Sequence, residues 1–82
     1  MQVEILSPEK KVFSGEADSV QFPGITGSFQ VLNNHAAMIA ALTNGNIKVS
    51  HKKNGEQLFA ITGGFVEVLN NTVSVLIEGT AE

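Results

Sequence analysis

Apolar residues that return at every second position, cut off by turn-forming residues before any run can lengthen, constrain this chain more than any other feature. Val20 and Phe22, Phe29 and Val31, Ile47 and Val49, and Val73 with Val75 and Ile77 keep the spacing of a pleated strand. None of these groups keeps the three-and-four spacing of a helix. Between them stand "SGE", "FPGITG", "TNGN", "KKNGE", "TGG" and "LNN". The pattern predicts an all-β domain, either an antiparallel β-sandwich or a flattened barrel, with about eight to ten short strands. Asn54-Gly55, flanked by "NIKVSHKK" and "EQLFAIT", predicts a hairpin closed by a type I′ turn, whose two central residues both need positive φ. Asn70-Asn71, between "FVEV" and "VSVLI", predicts a second hairpin.

One stretch fits the pattern less simply. "GSFQVLNNHAAMIAAL", Gly27 to Leu42, begins as a strand, breaks at Asn33-Asn34-His35 and resumes as a run of small and apolar residues. Its segment 36–42 has helix-forming composition, but it lacks an i, i+3, i+4 stripe and runs directly into the Asn44-Gly45 turn. A strand or extended segment is expected there.

The length of 82 residues fits one domain, residues 1–82. A domain this small buries only roughly 60–65% of the surface its unfolded chain exposes, so its stability alone is modest. With no cysteine there is neither a disulfide framework nor a thiolate metal site. A net charge of -3 and five scattered lysines argue against nucleic acid as a partner. No apolar run approaches the roughly 18 residues of a membrane span, and "MQVEILSPEKK" lacks the layout of a leader, so a soluble, cytosolic chain without direct membrane insertion is expected.

A search for chemistry returns little. Covalent catalysis needs a nucleophile, a base and a group that orients the base. His35 has no acidic or thiol neighbour in sequence and is expected to anchor its turn, with a proton-carrying role as the other reading. A small hydrolase built around His35 therefore lacks its partners. His51 sits among lysines at a strand end and reads as solvated. The eight acidic residues are dispersed, with no cluster for a hard metal ion. Gly63-Gly64 is followed by neither a helix nor a phosphate-loop lysine, and reads as a bulge or tight reversal. No catalytic, metal or cofactor residues are assigned, and an enzyme is not expected. What remains is surface. In "EQLFAI" both parities are apolar, Leu58 and Ala60 on one face, Phe59 and Ile61 on the other, so one face is a candidate for contact with a partner.

Laid out in this order, the residues resemble the N-terminal β-sandwich domain of the epsilon subunit of F-type ATP synthase. An opening strand leads to "FSG" at Phe13 to Gly15 and then to Val20 to Gly24, which match the family's early turn and its "V-x-x-P-G" close. "GSFQVLNNHAA" resembles the family stretch "G-x-x-x-(V/I)-L-x-x-H-A-P", with Ala37 where the proline is usual. Gly45 to Ile47, Gly63 to Val68 and Asn71 to Leu76 supply the later pieces. Order and spacing together carry the likeness. The helical hairpin that follows this domain in longer relatives has no counterpart in the 82 residues, so the roles of that hairpin are not carried over.

The resemblance implies a noncatalytic rotor subunit of the central stalk, coupling proton or sodium flow to ATP synthesis. Implied partners are the gamma subunit, the membrane c-ring and, through the complex, the catalytic alpha/beta head. The implied location is peripheral, on the cytoplasmic face of the bacterial plasma membrane. Family geometry places Gln30, Asn33, Asn34 and His35 as candidates for contact with the c-ring, and Leu58, Phe59, Ala60 and Ile61 as candidates for contact with gamma. The alternative reading is a free-standing β-sandwich module that binds a peptide or carbohydrate. Such a module would need exposed aromatics along a cleft, and the chain has no tyrosine or tryptophan.

Overall fold

Each alternating segment forms a strand in the computed structural model, which describes residues 1–78. The strands are β1 Gln2–Leu6, β2 Lys11–Glu16, β3 Ser19–Gly24, β4 Gly27–Leu32, β5 Met38–Leu42, β6 Gly45–His51, β7 Gly55–Ile61, β8 Gly64–Leu69 and β9 Thr72–Ile77. They form two layers, β2-β1-β9-β8-β5 and β4-β3-β6-β7, joined at a corner where Gly24 of β3 pairs with Leu42 of β5. Alternation decides the core. Val3, Ile5, Val66, Val68, Val73, Val75 and Ile77 point inward from the first layer, and Val20, Phe22, Val31, Ile47, Val49 and Ile61 from the second. The side seam is shut where Phe13 on edge strand β2 meets Phe59 on edge strand β7, with ring centroids 5.5 Å apart. Segment 36–42, with its mixed period, yields β5 from Met38 onward.

The sandwich departs from the antiparallel expectation at one pair. β1 runs parallel to β9, with Val3 opposite Val73 and Leu6 opposite Leu76. A parallel pair needs a long crossover, and here the crossover is almost the whole domain.

Asn70 and Asn71 close the β8–β9 hairpin with φ of 52° and 59°, between the paired residues Leu69 and Thr72, as a type I′ turn requires. Asn71 also acts outside its own turn, because its Oδ1 accepts the backbone N–H of Asn34 at 2.7 Å. Asn71→Ala is therefore expected to cost about 1–2 kcal/mol in chemical denaturation, from a strained φ and the lost hydrogen bond to the exposed Asn34 N–H. Asn71→Gly, which keeps only the backbone freedom, is expected to fall between that variant and the wild type.

The hairpin at Asn54-Gly55 forms, but not with the predicted turn. His51 pairs with Gly55, leaving Lys52, Lys53 and Asn54 in the loop, and of the pair only Gly55 has positive φ, at 77°. This is the geometry of a longer loop ending on a left-handed glycine. Two contacts set that length: the Lys52 N–H donates to Asp18 Oδ2 at 2.6 Å, and the Lys53 N–H donates to His51 Nδ1 at 3.1 Å. Gly63-Gly64, read as a reversal or bulge, lies where the chain leaves β7 in one layer and enters β8 in the other.

Candidate docking face

The two outer faces of the sandwich differ in chemistry. Outside the β4-β3-β6-β7 layer, cross-strand neighbours run Gln30, Gln21, Lys48, Leu58 in one row and Leu32, Ser19, Ser50, Glu56 in the next. Lys48 Nζ lies 3.8 Å from Glu56 Oε2. This is an ordinary solvated face of mixed polarity.

The β2-β1-β9-β8-β5 layer is different. Because Val66, Val75 and Ile5 point inward, the intervening Phe65, Leu76 and Leu6 must point outward. Register places Ala41 opposite Phe65, Phe65 opposite Leu76, and Leu76 opposite Leu6, giving one apolar row across β5, β8, β9 and β1. Phe65 is 60% exposed and Leu76 58%. Exposed Ile25, whose N–H donates to Ala41 O at 3.2 Å, lies past the β5 end of the row, beside Phe29, Met38 and Ala40. Exposed Ile39 lies beside the row on β5, over a shallow groove shared with Ala37, Met38, Glu67 and Leu69. A contiguous apolar strip left exposed among the described residues is the signature of a contact surface.

The family model for the ATP synthase delta/epsilon chain β-sandwich domain matches residues 1–82. The chain belongs to that family.

Among relatives of this ATP synthase domain, the epsilon chain of Chlorobaculum tepidum is 45% identical over 76 residues, covering 93% of this chain and 86% of that one. The epsilon chain of Chlorobium limicola is 42% identical, covering 94% and 88%. That of Leptospira borgpetersenii is 41% identical, and there the match spans only 61% of the relative. A chain from the central stalk and c-ring structure of Tetrahymena thermophila mitochondrial ATP synthase superposes with a TM-score of 0.79 at 25% identity, covering 99% of this chain and 65% of that one. A chain of the Euglena gracilis mitochondrial ATP synthase shares the fold, with a TM-score of 0.88 at 17% identity, covering 96% and 51%. The chain thus spans about two thirds or less of these solved relatives.

Within the epsilon-type sandwich, the residues singled out from the sequence divide by position. Asn33, Asn34 and His35 follow β4 at the same end as the Asn70-Asn71 turn, and hydrogen bonds hold this corner. Asn33 Oδ1 accepts from the Met1 α-ammonium at 2.6 Å, the Asn34 N–H bonds to Asn71, and His35 Nδ1–H donates to the carbonyl of Ala36 at 2.8 Å. Asn34 adopts a φ of 62°. These contacts support the anchoring role expected of the turn. Gln30 is separate from the corner, exposed on the outer face of β4.

On β7, Ile61 is fully buried and Phe59 is half-buried against Phe13, while Leu58 is 64% exposed. Ala60 is half-buried on the outer parity. Leu58 is thus the large apolar side chain this strand shows to solvent, and its cross-strand partner is Lys48.

The row Leu6, Ala41, Phe65, Leu76 was not singled out from the sequence. The signal was available: "MIAAL", "GFVEVL" and "TVSVLI" each carry apolar residues on both parities, as "EQLFAI" does. What picks out these strands is that they are neighbours in one layer, and that follows from long-range pairing.

Proposed function

We propose that this chain is a noncatalytic rotor subunit of an F-type ATP synthase. It links the gamma subunit of the central stalk to the c-ring and so couples proton or sodium translocation to ATP synthesis in the alpha/beta head. It sits peripherally on the cytoplasmic face of the bacterial plasma membrane. The observation that carries this reading is the uncovered apolar row across β5, β8, β9 and β1, on a domain of this family.

Gamma docks on that row. A rotor part must resist shear, and burying a broad sheet face against a shaft supplies stiffness that a small free domain lacks. Contact with the c-ring loops then falls to polar surface, with Gln30 and the half-exposed His35 as candidates. Asn33 and Asn34 are exposed beside them and also keep the corner in shape. Replacing Asn33, Asn34 and His35 together by alanine is expected to lower the stability of the isolated domain by about 2 kcal/mol, since it strains one left-handed residue and removes the Asn33 and His35 side-chain hydrogen bonds while the Asn34 N–H keeps its bond to Asn71. A melting curve measured without partners checks this.

The peptide- or carbohydrate-module reading finds no matching surface. Phe13 pairs with Phe59 and Phe22 stacks on Phe29 at 5.3 Å, so these four rings serve the core and its seams. Phe65 lies on an open sheet face.

Thermal unfolding with and without purified gamma tests the proposal. A ligand that binds only the folded state at about 100 times its dissociation constant adds about 2.7 kcal/mol. For a domain of this size that is a rise of about 10 °C or more in Tm. An unchanged Tm at gamma concentrations well above micromolar would remove the docking claim.

A further inference from the structure

Next to the apolar row lies a second row with a different chemistry. Ile39, Glu67, Ser74, Glu4 and Ser14 are successive cross-strand neighbours on the same outer face. The two rows are two residues apart along each strand, about 7 Å. Glu67 is exposed and Glu4 half-buried. One row further on, Glu16 stands opposite Gln2 and adds a third carboxylate of the same sign.

Among the described residues, no cation pairs with Glu4 or Glu67: the ion pairs join the Met1 α-ammonium to Glu16 and Lys48 to Glu56. Lys48 is on the other layer, Lys52 and Lys53 are in the β6–β7 loop, Lys10 precedes β2, and Lys11 opens β2 opposite Leu6, at the β2 end of the apolar row, without an ion pair to Glu4 or Glu67. The face is therefore apolar and acidic side by side.

We infer that the surface docking on this face presents lysine or arginine side chains in a line beside an apolar strip, placed to meet Glu4 and Glu67. The inference rests on the proposal that gamma docks here, and it states the chemistry that gamma must bring. Covering the apolar row necessarily strips water from the carboxylates alongside it. A partner without cations at that spacing leaves buried, unpaired charge, which is strongly unfavourable. A partner with them gains faster encounter and a fixed register along the row. A second copy of this chain offers the same unpaired carboxylates and no cation row, so the acidic row also opposes face-to-face self-association.

The test is the association rate of gamma with the wild-type chain and with Glu4→Gln/Glu67→Gln, followed from about 0.02 to about 0.3 M salt, where screening of exposed charges changes most. The wild-type rate should fall steeply as salt rises. The double variant should associate about tenfold more slowly at low salt and lose most of that dependence, and Glu4→Lys/Glu67→Lys should be slower still. Equal rates and equal salt slopes for wild type and both variants, with binding intact, overturn the charge inference and leave the docking reading standing. Absence of any wild-type binding overturns the docking reading itself.

Discussion

Gly64→Ala is expected to lower the Tm of the free domain by about 12–24 °C, the shift that corresponds to a loss of about 3 kcal/mol in a chain of this size. Two costs add at this residue. Its φ is 151°, in the region that side chains other than glycine's avoid. A Cβ built there would also meet the backbone on β9, close to the carbonyl oxygen of Leu76 and 2.8 Å from Ile77 Cα. Backbone cannot rotate away as a side chain can, because Gly64 is paired on both sides, with Leu42 of β5 and with Ile77 of β9. Strained φ costs about 1–3 kcal/mol and overpacking a similar amount. Gly55→Ala separates the two: its φ is 77°, yet nothing lies within 4 Å of the added Cβ. It is expected to cost about 1 kcal/mol. Equal losses for the two variants would show that the close approach to β9 carries no energy.

The contrast bears on what the sequence discloses. Strand positions were legible because alternation is local: Val73, Val75 and Ile77 mark the inner face of β9 whatever that strand pairs with. Asn70-Asn71 was legible for the same reason, since two residues supply both left-handed positions. Asn54-Gly55 was legible as a turn but not as to its kind. An Asn-Gly pair suits both a two-residue loop and a longer one ending on glycine, and here the distant Asp18 carboxylate, by holding the Lys52 N–H, fixes the longer loop.

The same limit applies to the candidate site. In β7 the mixed parity of "EQLFAI" announced an apolar outer face, but its outer row holds Leu58 beside Lys48, and Ile61 belongs to the core. The docking row depends on the parallel pairing of β1 with β9, residues 2–6 with 72–76, for which no local signal exists. The Asn33–His35 corner was legible as a corner and anchoring was expected of His35, but the bond from the Met1 α-ammonium to Asn33 Oδ1 and the tie from Asn34 N–H to Asn71 join residues far apart in sequence and had no local signal.

Phe65→Ser/Leu76→Ser is expected to weaken gamma binding about 60-fold or more while costing the free domain little. Each side chain keeps more than half its surface in water in the isolated domain, at 60% and 58% exposure. Covering the remainder removes on the order of 100 Å² of apolar surface from water for each residue, about 2.5 kcal/mol apiece at ~25 cal/mol/Å². Association recovers only part of that, and half of the sum already corresponds to a change of about 60–100-fold in affinity. The free domain loses little, because Phe65 and Leu76 stand on the solvent side of β8 and β9 and the core beneath them is Val66, Val75 and Ile77. Calorimetric titration of gamma into each variant gives the affinity, and a melting curve of the variant alone gives the control. Leu58→Ser, on the opposite layer, serves as the matched exposed leucine and should bind as the wild type does. Were Leu58→Ser to lose affinity while Phe65→Ser/Leu76→Ser kept it, the docking face would move to the β7 side of the sandwich, and the acidic row beside Leu76 would have no cation to meet.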